Sequence, residues 1–283
     1  MSKDQAALST INGAATAARQ SIAASDQTAD EKAIALGHPS YLWRFGQDRR
    51  LDLIRRYVAL EDRRILDVGC GLGMYVAKLR RFSDQVYGVD VDPAKVMEAG
   101  RTLPNISVSP AEDLPFESDS FDVVLLNEVI EHVDDDAETI REACRVVRPG
   151  GHLVIYAPNR LYPFETHGAY FGNRYVFGNI PLINYLPGTL RRLFAHHVRA
   201  YLAGDILRLY QDLPLRAVVH GYVYPGFDNI VARNRMIGTV LRKVLYGAEH
   251  TPAQIFGLSH FVVLQKTVST RPVASTRPVT VAR

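Results

Sequence analysis

The stretch of sequence that decides the fold lies between residues 65 and 73 and reads Ile65-Leu66-Asp67-Val68-Gly69-Cys70-Gly71-Leu72-Gly73. Its first four residues are mostly apolar and predict a buried strand, and a helical pattern begins just after it, at Met74. Glycines between the two let the backbone take positive φ and let a ligand approach the main chain closely. Ligands of open parallel sheets bind beyond the carboxyl ends of the strands. The stretch therefore predicts a nucleotide-type ligand at the end of the first strand.

The spacing of the glycines distinguishes between kinds of nucleotide ligand. A dinucleotide fingerprint needs Gly-x-Gly-x-x-Gly or Ala, and here Met74 occupies the third position. A bulky side chain there crowds the place where a helix N-terminus would receive a pyrophosphate. The carboxylate of Asp67 also suits a cationic ligand better than a phosphate. Asp90 ends the next strand, 21 residues after Gly69, where an acidic side chain can accept both ribose hydroxyls.

Strand and helix patterns alternate outward from this turn. Apolar runs predict five strands, at 64–68, 85–91, 106–109, 121–126 and 152–157, and helical patterns lie at 74–82, 93–102 and 136–147. Such alternation with nearly continuous apolar strands predicts a parallel sheet covered by helices on both faces. Two later strands, at 215–224 and 260–266, would close the sheet as an antiparallel edge pair. We therefore expect an α/β fold with a doubly wound, mostly parallel, seven-stranded sheet.

The composition changes after the fifth strand. Residues 159–197 are rich in aromatic residues, glycine and proline, and they predict an insertion that is suited to cover an acceptor. Helices are predicted at 198–211 and 231–246. We expect the second of these to face the core through its apolar residues, which are Met236, Ile237, Val240, Leu241, Val244 and Leu245. Its arginines also suit peripheral contact with a membrane surface, an interpretation that we do not favour at this stage.

Several motifs together resemble those of class I S-adenosylmethionine-dependent methyltransferases, and most closely the type 11, ubiquinone-methyltransferase-like subgroup. They are residues 67–73, Val89-Asp90, Ala111-Glu112-Asp113-Leu114-Pro115-Phe116 and Ser120-Phe121-Asp122. The resemblance covers residues 60–160. It implies a Rossmann-like form of the sheet described above, with the aromatic-rich insertion after the fifth strand.

The resemblance also implies how S-adenosylmethionine, the cofactor, would be held. Seven residues would surround it: Asp67, Gly69 and Gly71 at the methionine part, Asp90 at the ribose, Ala111 and Glu112 at the adenine, and Asn127 near the methionyl end. Pro110 departs from the family pattern, which often has Asp or Asn at that place. Because proline has no N–H and no polar side chain, it offers the adenine no hydrogen bond there.

The best local candidate for chemistry is the segment Glu128-Val129-Ile130-Glu131-His132, which follows the fourth strand. Glu128, Glu131 and His132 would share one face of a helical turn and could hold a divalent metal that polarises an acceptor hydroxyl. The spacing resembles that of ubiquinone O-methyltransferases and of small-RNA 3′-end methyltransferases, where it serves metal binding. We favour the plainer interpretation, in which no metal binds. His132 and His167 are then the candidate catalytic bases.

Composition and charge narrow the setting. The 283 residues carry a net charge of only +3, and no concentrated basic tract appears, which disfavours a nucleic-acid partner. Cys70 and Cys144 form neither a disulfide framework nor a zinc-ligand spacing. Neither a signal-peptide pattern nor an apolar run long enough for a membrane span is evident. These observations predict a cytoplasmic protein.

The domain organisation follows from where large apolar residues occur. Residues 1–35 have almost none and are expected to be mobile, and the repeat of Ser-Thr-Arg-Pro-Val within 268–283 predicts a disordered tail. The methyltransferase domain is predicted at 36–267. Its cofactor half would cover 60–160, and its acceptor-covering part 159–258.

Together these features predict an enzyme that transfers a methyl group, with oxygen of a small-molecule, sugar or lipid-linked acceptor as the favoured target. Two alternatives stay open. One is an RNA 2′-O-methyltransferase that uses a metal at residues 128–132, and the other is a non-catalytic cofactor-binding protein. The sequence leaves the oligomeric state open.

Overall fold

The structure is a computed structural model that describes residues 44–267, so the predicted segments 1–35 and 268–283 lie outside the described residues. In chain order its strands are β1 (Ile65–Val68), β2 (Val86–Asp90), β3 (Ile106–Val108), β4 (Phe121–Asn127), β5 (Val147–Pro158), β6 (Phe164–Glu165), β7 (Ala169–Phe171), β8 (Arg174–Val176), β9 (Ile180–Pro181), β10 (Leu215–Val223) and β11 (Ser259–Lys266). Its α-helices are α1 (Arg44–Arg55), α2 (Met74–Leu79), α3 (Pro93–Ala99), α4 (Asp136–Val146), α5 (Gly188–Phe194), α6 (Ala203–Tyr210), α7 (Asp228–Arg233) and α8 (Arg235–Ala248). Short 3₁₀ helices cover Ile183–Tyr185 and Pro252–Phe256.

Seven strands form one sheet in the order β3-β2-β1-β4-β5-β11-β10. The strands β1 to β5 pair in parallel, whereas β11 runs antiparallel to both β5 and β10. The strand order reverses between β1 and β4, and ligands of such sheets bind at this switch point. The predicted doubly wound, Rossmann-like, mostly parallel sheet is confirmed, and so is the antiparallel pair that closes it.

Helices cover both faces of the sheet, and each face has its own hydrophobic core. On one face Ile140 of α4 and Ile206 of α6 pack with apolar residues of β4 and β5. On the other face Ile54 of α1 and Val76 of α2 pack in a second cluster. All four side chains are almost completely buried, and burial of each contributes roughly 1.5–3 kcal/mol. The two cores hold the carboxyl edge of the sheet, where the site lies, in a fixed geometry.

The predicted helix at 198–211 is wrong in its first turn, because α6 begins only at Ala203. Tyr201 is extended instead. Its N–H donates to the carbonyl of Pro158 at 2.9 Å, and its hydroxyl donates to the carbonyl of Ile130 at 2.8 Å. These tertiary hydrogen bonds override the local helical pattern.

The predicted helix at 231–246 is two helices, α7 and α8. They meet at Asn234, which leaves the helical region with φ −148° and ψ 100°. Its side chain caps α8 by accepting the N–H of Ile237 at 3.1 Å, which is the usual role of asparagine at a helix start. The prediction that this helix faces the core through its apolar residues is also wrong at several positions, since Met236 is 75% exposed and Val244 is 63% exposed.

Residues 159–197 form the insertion expected after the fifth strand. They contain two small antiparallel pairs, β6 with β9 and β7 with β8, followed by α5. Their core is small, and it consists of Ala169, Ile183 and Ala195 together with Val198, which directly follows the insertion. Several aromatic side chains lie outside this core, among them Phe171 at 48% exposure and Tyr185 at 44% exposure. Within residues 44–267, no helix is both long enough and apolar enough to cross a membrane.

Candidate active site

The glycine turn lies between β1 and α2, and the N–H of Cys70 ties it to the carbonyl of Val89 at 2.9 Å. Gly71 has a φ of 53°, and a β-carbon added there would meet no atom within 4 Å. Gly69 has a φ of 71°, but a β-carbon added there would lie 2.6 Å from Cγ2 of Val129. Gly71 is therefore the place where a ligand can approach the main chain. Gly69 in addition allows the loop after β4 to pack against the turn.

Asp90 lies at the end of β2 and is almost completely buried. One of its carboxylate oxygens accepts the N–H of Gly71 at 2.8 Å, and the other accepts the N–H of Asp92 at 2.9 Å. An ionised carboxylate offers about four acceptor positions. Asp90 thus fixes the glycine turn and keeps acceptor capacity for the two ribose hydroxyls that the sequence assigned to it.

Asp67 lies next to the end of β1 and is 2% exposed. Burial, with a smaller contribution from the negative charge of Asp90, raises the pKa of Asp67 to about 8. The carboxyl group is therefore mostly protonated at pH 7 in the ligand-free protein. A cation placed against it favours the ionised form and lowers the pKa again. This buried acid fits the cationic methionine end of S-adenosylmethionine.

Ala111 and Glu112, the residues predicted at the adenine, follow β3. Ala111 is buried. The Oε1 atom of Glu112 accepts the N–H groups of Asp134 at 2.9 Å and Asp135 at 3.3 Å, which ties this segment to the loop before α4. Pro110, where the sequence departs from the family pattern, is exposed. The segment predicted to border the adenine is thus held in place by a loop contact that involves Glu112.

Arg50 of α1 reaches the end of β4 and joins three elements. Its guanidinium donates to Oδ1 of Asn127 at 2.9 Å, to Oε1 of Glu128 at 2.6 Å and to Oγ of Ser259 at 2.9 Å. The guanidinium also lies over the ring of Tyr156, 4.7 Å from its centroid. Asn127, predicted near the methionyl end, is therefore oriented by a residue of the first described helix.

The pKa values of the two carboxyl groups that follow β4 are shifted in opposite directions. Burial opposes ionisation of Glu128, but the positive charge of Arg50 outweighs it and holds the pKa of Glu128 below its usual range. Burial raises the pKa of Glu131 well above its usual value, and the charge of Glu128 raises it further. Glu131 is 1% exposed, its carboxyl oxygens accept no hydrogen bond from residues 44–267, and its Oε1 lies 4.0 Å from Nε2 of His132. We therefore expect Glu128 to be charged at neutral pH, whereas Glu131 ionises much less readily than an ordinary glutamate.

His132 and His167, the two predicted catalytic residues, lie side by side. Their ring centroids are 5.2 Å apart, and the ring planes are inclined by 78°. Nδ1 of His167 lies 3.1 Å from Oε1 of Glu165, whose Oε2 accepts from Arg191 at 2.6 Å. Because a carboxylate partner favours the proton on Nδ1, Nε2 of His167 is left as an acceptor. This is the arrangement of a histidine base that is oriented by a carboxylate.

The structure does not group the three residues that the sequence suggested as metal ligands, which are Glu128, Glu131 and His132. The carboxylate of Glu128 is engaged by Arg50, and the backbone of Glu128 is left-handed with a φ of 57°. The ligand atoms that lie within 4.8 Å of one another belong instead to Glu131, His132 and His167. His167 therefore takes the place of Glu128 in this group, because the ion pair with α1 holds the Glu128 carboxylate.

Reasoning from the sequence missed Arg50 and Glu165. Arg50 stands beside Arg49 in an arginine-rich helix, and nothing in the local pattern indicates which arginine reaches β4. Glu165 gave a usable signal, because an acidic residue two positions before a candidate histidine can orient its ring. The contacts of Arg50 are long-range in the sequence, so only the fold reveals them.

Comparison with known proteins finds relatives that match part of this chain. The family described as Methyltransferase domain matches residues 66–155. The chain is 34% identical over 139 residues to the ubiquinone biosynthesis O-methyltransferase of Hahella chejuensis, an alignment that covers 47% of this chain and 58% of that protein. It is 36% identical over 132 residues to the protein of the same name from Alkalilimnicola ehrlichii, covering 42% of this chain and 53% of that protein. The chain thus spans little more than half the length of these curated relatives.

Solved structures share the fold. The S-adenosylmethionine-dependent methyltransferase of Mesorhizobium loti matches with a TM-score of 0.54, covering 76% of this chain and 96% of that one, at 19% sequence identity. At this identity the likeness shows the fold alone. The family match adds the segment that carries the glycine turn, Asp90 and the end of β4. Residues 66–155 therefore match the methyltransferase-domain family, and this part of the chain resembles class I S-adenosylmethionine-dependent methyltransferases of the type 11, ubiquinone-methyltransferase-like kind.

Proposed function

We propose that the protein transfers the methyl group of S-adenosylmethionine to an oxygen atom of a small-molecule acceptor. The observation that carries this proposal is the contact of His167 with Glu165, next to the buried carboxyl of Glu131. Methyl transfer requires alignment of the acceptor with the sulfonium methyl group, and a hydroxyl acceptor also has to lose its proton. A histidine oriented by a carboxylate is suited to take that proton. The names of the two curated relatives also support an oxygen target.

The donor would be held by the residues that the sequence predicts. Bound S-adenosylmethionine supplies an activated methyl group. Its methionine part would contact Asp67, Gly69 and Gly71, with Asn127 near the methionyl end. Its ribose would lie on Asp90, and its adenine would lie beside Ala111 and Glu112. Arg50, which donates to Asn127, keeps the amide of that residue in one orientation.

The acceptor hydroxyl would give its proton to Nε2 of His167. Glu165 stabilises the imidazolium that forms, because its carboxylate accepts from Nδ1. Arg191 is 6% exposed and holds Glu165 in place through the other carboxylate oxygen. His132, whose ring lies against that of His167, is the second candidate for contact with the acceptor.

A cavity of about 910 Å³ opens beside His132, and its wall includes Glu131, Arg160 and Tyr201 but not His167. Its volume falls in the range of small-molecule sites. Its mixed polar and apolar wall suits a sugar, a phenol or the head of a lipid-linked acceptor.

We assign the activity to the domain predicted at 36–267, in the cytoplasm, with 159–258 as the acceptor-covering part. Cys70 and Cys144 are both free and buried, as proteins of a reducing compartment allow.

A divalent metal at Glu131, His132 and His167 is a second proposal about the same site. Its support is the buried carboxyl of Glu131, whose two oxygens accept no hydrogen bond from the described residues and whose Oε1 lies 4.0 Å from Nε2 of His132. A bound cation would lower the pKa of Glu131 and would polarise an acceptor hydroxyl. Calorimetry with Mn²⁺, run on the natural protein and on Glu131→Gln, tests this. Equal heats for both proteins, together with activity unchanged by a chelator, would exclude the metal while leaving methyl transfer intact.

The proposed donor is tested by calorimetry with S-adenosylmethionine and with NAD. We expect S-adenosylmethionine to bind and NAD not to bind, and absence of S-adenosylmethionine binding refutes the proposal.

The acceptor is sought with methyl-labelled S-adenosylmethionine in extracts that are separated into RNA, lipid and small-molecule fractions. Label in the RNA fraction alone would favour the RNA alternative.

A further inference from the structure

The helix α8 presents its apolar side to solvent. Met236, Ile237, Val240 and Val244 are 75%, 56%, 56% and 63% exposed. Their spacing along the helix places them on one face. The opposite side of the helix contains Gly238, which is buried against the preceding helix. The exposed apolar surface is therefore a continuous stripe along α8, about 12 Å long between Met236 and Val244.

The inward side of α8 is held by polar contacts. Arg242 donates to Oδ1 of Asp228 at 2.8 Å. The hydroxyl of Tyr246 donates to the carbonyl of Pro225 at 3.2 Å, and the Tyr246 ring lies 3.8 Å from the guanidinium carbon of Arg49. A helix that covers a protein core has the reverse arrangement, with its apolar stripe inward. The polar contacts fix the rotation of α8, so the apolar stripe stays outward.

The charges around this stripe that are not held in ion pairs are of one sign, since the two flanking carboxylates, Asp228 and Glu249, pair with Arg242 and Arg49. Residues 229–248 contain four cationic side chains and no carboxylate. Arg233, Arg235 and Lys243 are exposed, and within residues 44–267 they form no ion pair. Apolar side chains bordered by lysine and arginine match the boundary of an anionic lipid layer, which accepts the first and attracts the second. A second copy of the chain would bring the same cations against these and would be repelled.

The stripe also lies near the candidate active site. The segment with α7 and α8 joins the end of β10 to the start of β11, at the edge of the sheet that carries the glycine turn and the end of β4. Arg49 of α1 contacts both Tyr246 and Glu249, and the next residue, Arg50, contacts Glu128. We propose that α8 docks the protein on an anionic membrane surface, with its apolar stripe in the headgroup region, which brings the mouth of the site to the membrane.

Vesicle flotation tests the proposal with the full chain. We expect the protein to float with vesicles of phosphatidylcholine that contain phosphatidylglycerol, to float less at high salt, and not to float with phosphatidylcholine alone. Val240→Glu should abolish flotation. The matched control is Met97→Glu, which introduces the same charge at a side chain of α3 that is 66% exposed, and it should float like the natural protein.

The charge requirement is tested separately. Arg235→Gln/Lys243→Gln should weaken binding to the anionic vesicles on the order of tenfold, because each cation near the surface contributes to attraction. Arg56→Gln/Arg81→Gln removes two exposed arginines from elsewhere on the chain and should bind like the natural protein. Circular dichroism melts should be the same for all variants, since the changed side chains are solvent-exposed.

Three results would overturn the proposal. The natural protein fails to float with anionic vesicles at low salt, or Val240→Glu floats as well as the natural protein. The third result is a dimer in light scattering that Val240→Glu converts to a monomer, without vesicle binding by either form. That outcome would assign the stripe to a second copy of the chain.

Discussion

The region that holds the donor and the region expected to cover the acceptor are built in different ways. The donor region uses backbone groups at the ends of neighbouring parallel strands, as where the N–H of Gly71 meets the carboxylate of Asp90. The acceptor region, residues 159–258, depends on side chains, such as Arg191 with Glu165 and Arg242 with Asp228. A site made of backbone is fixed once the sheet forms. A site made of side chains changes with each substitution, so the same donor pocket can serve many acceptors.

The largest effect is expected where the two regions join, at the ion pair of Arg50 with Glu128. Both side chains are mostly buried, at 12% and 20% exposure. Arg50→Met leaves the Glu128 charge without its partner and should lower the free energy of unfolding of the ligand-free protein by about 3 kcal/mol. Arg50→Met/Glu128→Gln should recover most of this loss. Urea denaturation measures both variants, and a double variant no more stable than the single one contradicts the coupling.

Substitution of His167, in the acceptor region, should slow methyl transfer and leave cofactor binding unchanged. His167→Asn removes the proposed base and should lower kcat by about 100-fold, with the affinity for S-adenosylmethionine unchanged. His250→Asn changes an exposed histidine outside the site and serves as the control. Steady-state kinetics and calorimetry make the comparison, and an equal loss of cofactor affinity would place His167 in the donor region instead.

Substitution of Asp90, in the donor region, should instead weaken the binding of the cofactor. Asp90→Asn weakens the hold on the glycine turn and on the ribose, and it should raise the Kd for S-adenosylmethionine by about tenfold. Asp92→Asn is a suitable control, because asparagine also caps helices and Asp92 caps α3. Calorimetry on both variants measures the difference. Equal affinities would contradict the role given to Asp90.

The smallest expected effect is on the pH dependence of donor binding, through Asp67. With a pKa of about 8 it is protonated at pH 7, and a cationic ligand favours its charged form, so binding releases a proton. Affinity should rise about fivefold between pH 7 and pH 8, and level off above pH 8. Calorimetry in buffers of different ionisation enthalpy measures the released proton, and Asp67→Asn should release none.

The same group has the opposite effect on the stability of the ligand-free protein. Its folded pKa lies above the unfolded value of about 3.9, so its contribution to stability is complete below that value and is lost as the pH rises towards 8. Thermal melts from pH 4 to pH 8 should therefore show the natural protein losing stability relative to Asp67→Asn. A parallel pH dependence of the two proteins would contradict the raised pKa.

The sequence was most informative where function depends on local backbone geometry. The order of strands and helices follows from periodic apolar residues, and the glycine turn follows from spacing alone. Asp90 could be assigned because it ends a strand next to β1, and parallel strands that are neighbours bring their carboxyl ends together. Each of these features depends on a few residues that are close in the chain.

The sequence was least informative where distant side chains meet. Arg50 and Asn127 are 77 residues apart, and no pattern near either one indicates the contact. Arg50 also pairs with Glu128. Because this ion pair holds the Glu128 carboxylate, His167 takes the place of Glu128 in the predicted metal group. The outward stripe of α8 was missed for a related reason. The helical pattern predicts that an apolar face exists, but the contacts of Arg242 and Tyr246 decide which way it points.

The place of β11 inside the sheet has a consequence for how the protein is made. Because β11 lies between β5 and β10, the outer edge of β5 stays unpaired during translation until residues 259–266 have left the ribosome. That edge includes Val154 and Tyr156, and an exposed apolar edge invites pairing with other nascent chains. A chain that stalls before residue 259 should already contain β1 to β5 with their glycine turn, yet it should depend on chaperones to stay soluble.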